Sequence, residues 1–540
     1  MKMSKKRAML IILDGFGEGK KESTNAIYAA NTPFIDSLKE NHSWSLLEPG
    51  GETVGVLPGQ TGGSDVGHNT IGAGRVIRQP IKIIYDSIQD KSFFGNKDLV
   101  SAINHAKKNN SNLHLLGIGA DSFIHSHTQF IYALLDLCEK ENFSGDKVFL
   151  HLAADGRDNP MDSSLGFFTE IENKCKEKRI GKIASLFGRF YLDRGENWDR
   201  TEKLYNLLTD KNQKFISDWK SYFKENYRKN ISDELLDPIA IGNEDGILPR
   251  IKNNDAVINF NYRADRERQI TEVLTEGNFK EFDRNVDIPD LVQESKITKE
   301  LDSRIRGNGN NGLNNLYYVG FIQYSPKLKN AHYAFEEEQA NICLSEIIDQ
   351  AGINQMHVAG REKIIFVTYN LNRCENLNLE TESDATAPQT KEVRTFDLNP
   401  EMSAPNLTKI LLDELERDKQ DVYVVNYENC DQVGHTGNLK AAITAVEAVD
   451  KSLSQVIPKA LEKGFEIIIT ADHGNADVMV DENGNPHTAH SHNKVPCIFV
   501  SNKRKVKIKD GVLSDIAPTF LNILGIDAHE EMTGKCLIDN

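Results

Sequence analysis

The chain has 540 residues, 39% hydrophobic and 27% charged, enough apolar matter for roughly two to four domains and too much for wholesale disorder. Lys plus Arg is 64 against Asp plus Glu 80, a formal net charge of −16, which argues against bulk affinity for nucleic acid or anionic lipid but permits a local basic pocket. The seven cysteines are scattered without a CxxC pair, so reduced thiols in the cytoplasm are expected rather than disulfides.

The first apolar run, Ala8 to Leu13, predicts a short buried strand ending on Asp14-Gly15-Phe16-Gly17. It is too short for an export signal or a membrane span, and no other stretch approaches the roughly 18 apolar residues a span needs. Glycines then crowd the segment from Gly50 to Gly74. From about residue 80 to 312, strand-like runs (Leu113 to Ile118, Val148 to Leu152, Ala256 to Phe260) alternate with helix-like ones, and the Gly/Asn tract Gly307 to Asn315 suits a linker or loop. Asp421 to Tyr427 reads as another buried strand. Apolar residues at Leu439, Ile443, Val446, Val449, Leu453, Val456, Ile457 and Leu461 predict an amphipathic helix, which Gly464 is placed to end before the strand Phe465 to Thr470. Strands alternating with helices imply an α/β domain with a largely parallel sheet.

Three of these strands share one punctuation. The first runs into Asp14, the second toward Asp431 with His435 four residues on, and the third into Asp472-His473-Gly474. Ligands bind outside the carboxyl ends of strands in open α/β sheets, so these acids should gather on one rim. A dense histidine loop, His487-Thr-Ala-His490-Ser-His492, follows the third strand. Carboxylates with imidazoles suit a divalent ion such as Zn²⁺, Mn²⁺ or Mg²⁺. If the acids share a site, the two chain ends form one domain and the middle is an insertion.

The most unusual stretch is Leu57-Pro-Gly-Gln-Thr-Gly-Gly-Ser-Asp-Val-Gly-His-Asn-Thr-Ile-Gly-Ala-Gly-Arg75. It is neither a Walker A loop nor GxGxxG. Glycines around Ser64 allow close approach of a bulky anion, and the hydroxyl becomes a nucleophile when a base or metal activates it.

The run Gly62 to Arg75 resembles the serine loop of the cofactor-independent phosphoglycerate mutases, members of the alkaline phosphatase superfamily. Further matches follow in family order: Asp155-Gly-Arg-Asp158, Asn261-Tyr-Arg-Ala-Asp-Arg266, Pro400-Glu-Met-Ser403, Asn429 to Gly437, Glu447-Ala-Val-Asp450, Thr470 to Ala476 and His487-Thr-Ala-His490. The resemblance implies an α/β, alkaline-phosphatase-like domain with a largely parallel sheet (1–78 and 315–540), interrupted by an inserted α/β transferase domain (79–314). It assigns one metal to Asp431, His435 and His490, and a second to Asp14, Ser64, Asp472 and His473. Mn²⁺ is expected, with Mg²⁺, Co²⁺ or Zn²⁺ as alternatives, and no 2,3-bisphosphoglycerate. The implied substrate-binding set is His125, Arg157, Asp158, Arg189, Arg194, Arg263 and Arg266, completed by Lys363 from near the domain junction.

The implied reaction is interconversion of 3- and 2-phosphoglycerate in glycolysis and gluconeogenesis. Ser64 is expected to form a phosphoserine, Asp158 to act as general acid/base, and Lys363 to offset phosphoryl charge. Retention of glycerate between the two transfers calls for a two-domain clamp, with hinges expected near 76–84 and 308–318. A cytoplasmic monomer acting on a small molecule, with no nucleic-acid or membrane partner, completes the expectation. The chain departs from the family in a serine loop one residue short, in closer spacing of Arg189 and Arg194, and in a polar segment, 364–395, in place of Phe-Phe-Asn-Gly-Gly. His492 reads as a plain loop residue. Two other readings compete: a metal-dependent phosphomonoester hydrolase of the same superfamily, and a catalytically silent metal- or metabolite-binding protein.

Overall fold

The apolar run at the N-terminus forms strand β1 (Arg7–Leu13), buried from Ala8 onward, and lies in the middle of a sheet otherwise built from residues far along the chain. In this computed structural model, which describes residues 6–284 and 313–539, the other strands of that sheet are β2 (Ser43–Glu48), β3 (Gln355–Gly360), β4 (Glu382–Ala387), β5 (Val422–Tyr427), β6 (Phe465–Thr470), β7 (Val495–Val500) and β8 (Gly511–Val512). Their order is β4-β3-β5-β1-β6-β7-β2-β8. The five strands from β4 to β6 are parallel, whereas β7 is antiparallel to both its neighbours. Strands β1, β5 and β6 are mostly apolar and fully or almost fully buried, as in a parallel sheet covered on both faces. Burying each Leu or Ile side chain there contributes about 1.5–3 kcal/mol over leaving it in water.

Parallel pairing puts the C-terminal ends of the strands on one rim. Leu13 of β1 stands beside Tyr427 of β5, and Ile12 beside Thr470 of β6. Four helices matter to the site and its support: α1 (Ser64–Ala73), α2 (Ala404–Arg417), α3 (Asn429–Gly434) and α4 (Leu439–Glu462). The α4 stripe is the predicted one, buried at Val446, Val449, Leu453, Val456 and Ile457, and the Asn438 side chain caps its first turn by accepting from the Ala441 N–H.

The chain splits into two units, residues 1–82 with 338–540, and residues 83–337. The second has its own sheet. Its strands run in the order Ala331–Tyr333, Tyr317–Gly320, Ala256–Asn259, Leu113–Ile118, Val148–Ala154, Lys182–Gly188, Ile239–Asn243 and Phe215–Ile216, with Gly246–Ile247 pairing on Ile239–Asn243. All its ladders are parallel except the pairings of Ile239–Asn243 with Lys182–Gly188 and with Gly246–Ile247.

The expected inserted domain, 79–314, needs correction at its far end. Tyr317–Gly320 pairs with Ala256–Asn259, so the segment up to Glu337 belongs to the second unit and its apolar run is another strand of that sheet. The Gly/Asn tract therefore precedes a strand of the second unit rather than closing that unit. Residues 307–312 of that tract, and with them part of the expected hinge at 308–318, lie outside the described residues. No disulfide joins any of the seven cysteines, and among the described residues no helix is long and apolar enough to cross a membrane.

Candidate active site

Asp14 follows β1, Asp431 lies in α3 just after β5, and Asp472 and His473 follow β6, so the parallel rim brings all three acids together. Gly15 makes the close approach possible. Its φ of +77° is left-handed, and a Cβ there would lie 2.6 Å from the Asp431 backbone. Ser64 is the first residue of α1, with its hydroxyl at the end of the helix that favours anions.

The Ser64 hydroxyl donates to Asp14 Oδ1 at 3.2 Å and lies 3.0 Å from His473 Nε2. Lys363 completes the cluster. Its Nζ donates to Ser64 Oγ at 2.6 Å, Asp14 Oδ1 at 2.8 Å and Asp431 Oδ2 at 2.8 Å. Lys363 thus sits at the buried centre of the first unit's site, in direct contact with Ser64, a closer association than its expected place near a domain junction. The Phe366 ring lies 4.9 Å from Nζ and 5.7 Å from the His68 ring. The start of the divergent 364–395 segment, a π-turn over Phe366–Asn370, therefore forms part of the wall behind the serine helix.

His435 Nε2 and His490 Nε2 reach Asp431 Oδ1 at 3.1 and 3.3 Å and lie 3.2 Å from each other. His490 stacks on His473, with centroids 3.8 Å apart. Asp431, His473 and His490 offer ligand atoms close enough together to hold an ion, and so do Asp14, Asp472 and His473. The buried Asp472 Oδ2 accepts no well-aligned hydrogen bond, its nearest imidazole nitrogens being His68 Nδ1 at 3.3 Å and His473 Nε2 at 3.4 Å. Converging carboxylate and imidazole donors, one of them orphaned, fit a divalent ion.

The electrostatics follow from this crowding. Burial, then the neighbouring Asp472 charge, raises the Asp14 carboxyl above its ordinary range, against the pull of Lys363. Burial also opposes charge on Asp431, but the Lys363 ammonium and hydrogen bonds from His435 and His490 overcome it and hold this carboxyl well below the usual value. For Lys363 the burial penalty is outweighed by Asp14, Asp431 and Asp472, so the ammonium keeps its proton.

Two residues of the surroundings carried no sequence signal. His68 Nδ1 lies 2.8 Å from the Ser64 carbonyl and 3.3 Å from Asp472 Oδ2. Asn426 donates to Asp14 Oδ2 at 2.8 Å and reaches His68 Nε2 at 3.0 Å. They hold the acids and the serine turn in place. His492 is exposed and takes no part in this cluster.

The second unit carries a separate cationic cluster. Arg189 donates to Asp155 and Asp158, and its Nη2 reaches His125 Nε2 at 2.7 Å. Arg266 donates to the Arg189 and Leu192 carbonyls. Arg194 pairs with Asp265 at 2.7 Å, and Arg263 approaches the same carboxylate at 3.5 Å. Arg263 precedes a short 3₁₀ turn, Ala264–Arg266, of which Arg266 is the last residue. Arg157 is the outlier, half-exposed and paired with Glu234 at 3.4 Å. Asp155 and Asp265, which orient these arginines, were not singled out from the sequence. Burial, reinforced by Arg189, pushes the His125 imidazole down to about 3. His125 Nδ1, Arg189 Nε, Arg266 Nε, Asp155 Oδ2 and Asp265 Oδ1 are buried without hydrogen-bond partners, as suits a site built for a polar ligand.

A family model described as the metalloenzyme superfamily matches residues 6–528. The 2,3-bisphosphoglycerate-independent phosphoglycerate mutase of Acetivibrio thermocellus is 37% identical over 538 residues, covering 99% of this chain and 100% of that protein. The chain belongs to this mutase family. The family's member in Clostridium perfringens strain 13 is 39% identical over 542 residues, with 99% and 100% coverage. Among solved structures, Leishmania mexicana phosphoglycerate mutase at low cobalt concentration matches with a TM-score of 0.68 and 26% identity, over 100% of this chain and 98% of that one. The family thus extends over both units, and both clusters lie within the matched residues.

Proposed function

We propose that the chain is a 2,3-bisphosphoglycerate-independent phosphoglycerate mutase that interconverts 3- and 2-phosphoglycerate through a phosphoserine on Ser64. The carrying observation is the Ser64 hydroxyl at a helix N-terminus, touched at once by the Lys363 ammonium, the Asp14 carboxylate and His473. The Ser64 oxygen attacks the phosphorus of 3-phosphoglycerate, forming the Oγ–P bond as the bond from phosphorus to the 3-oxygen breaks. Asp14 takes the proton of the attacking hydroxyl, to which it is already hydrogen-bonded, and returns it to Ser64 Oγ when the phosphoryl group leaves. Lys363 favours the alkoxide and offsets charge on the transferring group. Asp158, oriented by Arg189, gives a proton to the departing 3-oxygen and takes one from the 2-hydroxyl when that oxygen attacks the phosphoserine.

Asp431, His435 and His490 would hold one divalent ion, and Asp14, Ser64, Asp472 and His473 a second. Bound there, the ions supply positive charge for the serine alkoxide and the phosphoryl oxygens. The donor set suits Mn²⁺, with Mg²⁺, Co²⁺ or Zn²⁺ as alternatives. The second unit is read as the transferase domain. His125, Arg157, Arg189, Arg194, Arg263 and Arg266 hold the glycerate's carboxylate and phosphate, for which the planar guanidinium fork is suited. Seven cysteines without a disulfide support a reducing, cytoplasmic setting, and the reading is completed by a monomer acting on a free small molecule.

A phosphohydrolase is the competing activity, and the arginine cluster favours the mutase because a hydrolase need not retain its alcohol. Product analysis separates them. With 3-phosphoglycerate as substrate, 2-phosphoglycerate should form with little inorganic phosphate; phosphate and glycerate as the main products would overturn the reading.

A further inference from the structure

Strands β3 and β5 are parallel neighbours that end side by side, Ala359 opposite Asn426. Three residues beyond Gly360 the chain reaches Lys363, and three beyond Glu428 it reaches Asp431, and these two side chains are ion-paired at 2.8 Å. The Glu428 carboxyl is wedged between the two turns. It is fully buried and lies against Gly360, where even a methyl group would collide with it. Strands stand only about 4.8 Å apart, so a carboxyl fits at this point because residue 360 has no side chain. The turn beyond is closed by the Lys363 N–H donating to the Gly360 carbonyl at 3.0 Å.

Glu428 Oε1 is itself held by two donors, the Ser403 hydroxyl at 2.6 Å and the Gln389 amide at 2.8 Å. The adjacent Asn429 amide donates to the Pro400 and Glu401 carbonyls, each at 2.9 Å. The Pro400-Glu-Met-Ser403 motif and the loop after β4, which no step of the reaction uses, therefore converge on this one carboxyl. We propose that Glu428 is a positioning residue that sets the separation of the Lys363 and Asp431 turns and so seats the Lys363 ammonium against Ser64. Oε2 has no hydrogen-bond partner, so a carboxamide can keep both bonds to Oε1 and fill the same space.

The inference rests on the reading of Lys363 as a catalytic cation, and the test separates the two. Turnover is measured on metal-loaded wild type, E428A, E428Q, K363M and K363M/E428A, each normalised to the folded fraction at the assay temperature. E428A should lose about tenfold in kcat with KM for 3-phosphoglycerate unchanged, E428Q should restore turnover, and E428A should add nothing to the loss in K363M. Wild-type kcat in E428A, a loss in E428Q equal to that in E428A, or a further tenfold loss in the double variant would overturn the positioning role. Full activity in K363M would instead overturn the reading of Lys363 itself. If E428A does not fold, S403A takes its place in the same cycle. A smaller kcat loss absent from the K363M background supports the proposal, and wild-type kcat contradicts it.

Discussion

The Lys363 ammonium is 3% exposed and bonded to two carboxylates and the serine hydroxyl. A buried cation in such a setting holds its neighbours' charges as much as they hold its own. K363M should therefore destabilise the chelated protein by about 3–5 kcal/mol in urea unfolding, because Asp14, Asp431 and Asp472 are left crowded without their counter-ion. In the metal-loaded enzyme the same change should cost roughly a hundred- to thousandfold in kcat. Unchanged unfolding together with unchanged turnover would contradict both roles. At this scale the sequence yields chemistry better than neighbourhood. Asp14, Asp431 and Asp472 were legible because each follows closely on an apolar strand. Lys363 gave no such sign, and its contact with Ser64 depends on a turn whose geometry is set by Glu428 and Gly360, residues separated by most of two strands and a helix. Asp155 and Asp265 were missed for a related reason, since an acid that orients an arginine looks in sequence like any surface acid.

In the second unit a polar chain crosses three adjacent strands. Asp255 Oδ2 lies 3.1 Å from His114 Nε2, His114 Nδ1 2.9 Å from His151 Nε2, and His151 Nδ1 2.6 Å from Ser185 Oγ, all fully buried. Burial lowers the His114 value despite Asp255, and burial together with His114 and Arg250 lowers that of His151 further. Both folded values lie below the ordinary 6.5, so the folded state binds fewer protons than the unfolded chain once pH drops through that point. The contribution to stability is complete above it and lost as pH falls toward the folded values. Hydrogen exchange, corrected for intrinsic rates, should show peptides of Leu113–Ile118, Val148–Ala154 and Lys182–Gly188 losing protection between about pH 7 and pH 5, relative to β1 and β5. Equal protection at both values would refute it. Element identity was clear from sequence where strands are buried on both faces, as in β1, β5 and β6. It was obscure for β4, a half-exposed edge strand reading Glu-Ser-Asp-Ala-Thr-Ala, because an edge needs little apolar surface. Tyr317–Gly320 was hidden by the Gly/Asn tract before it, which drew the domain boundary too early.

For the whole molecule, β1 is clasped between two strands from beyond residue 420 and β2 between two from beyond residue 490, which makes the first unit discontinuous. That topology was legible once the three strand-ending acids were taken to share a site. The net charge of −16 describes the surface, while the second unit gathers arginines around orphaned polar atoms and the first surrounds a serine with acids, imidazoles and one lysine. The central claim is tested by rapid acid quench of the metal-loaded enzyme during turnover of 3-phosphoglycerate, followed by mass spectrometry of the peptide containing Ser64. The account predicts one added phosphoryl group on Ser64 in the wild type, and neither the modification nor 2-phosphoglycerate in S64A. Full mutase turnover in S64A, or a wild-type enzyme that turns over with Ser64 unmodified at every quench time, would contradict it.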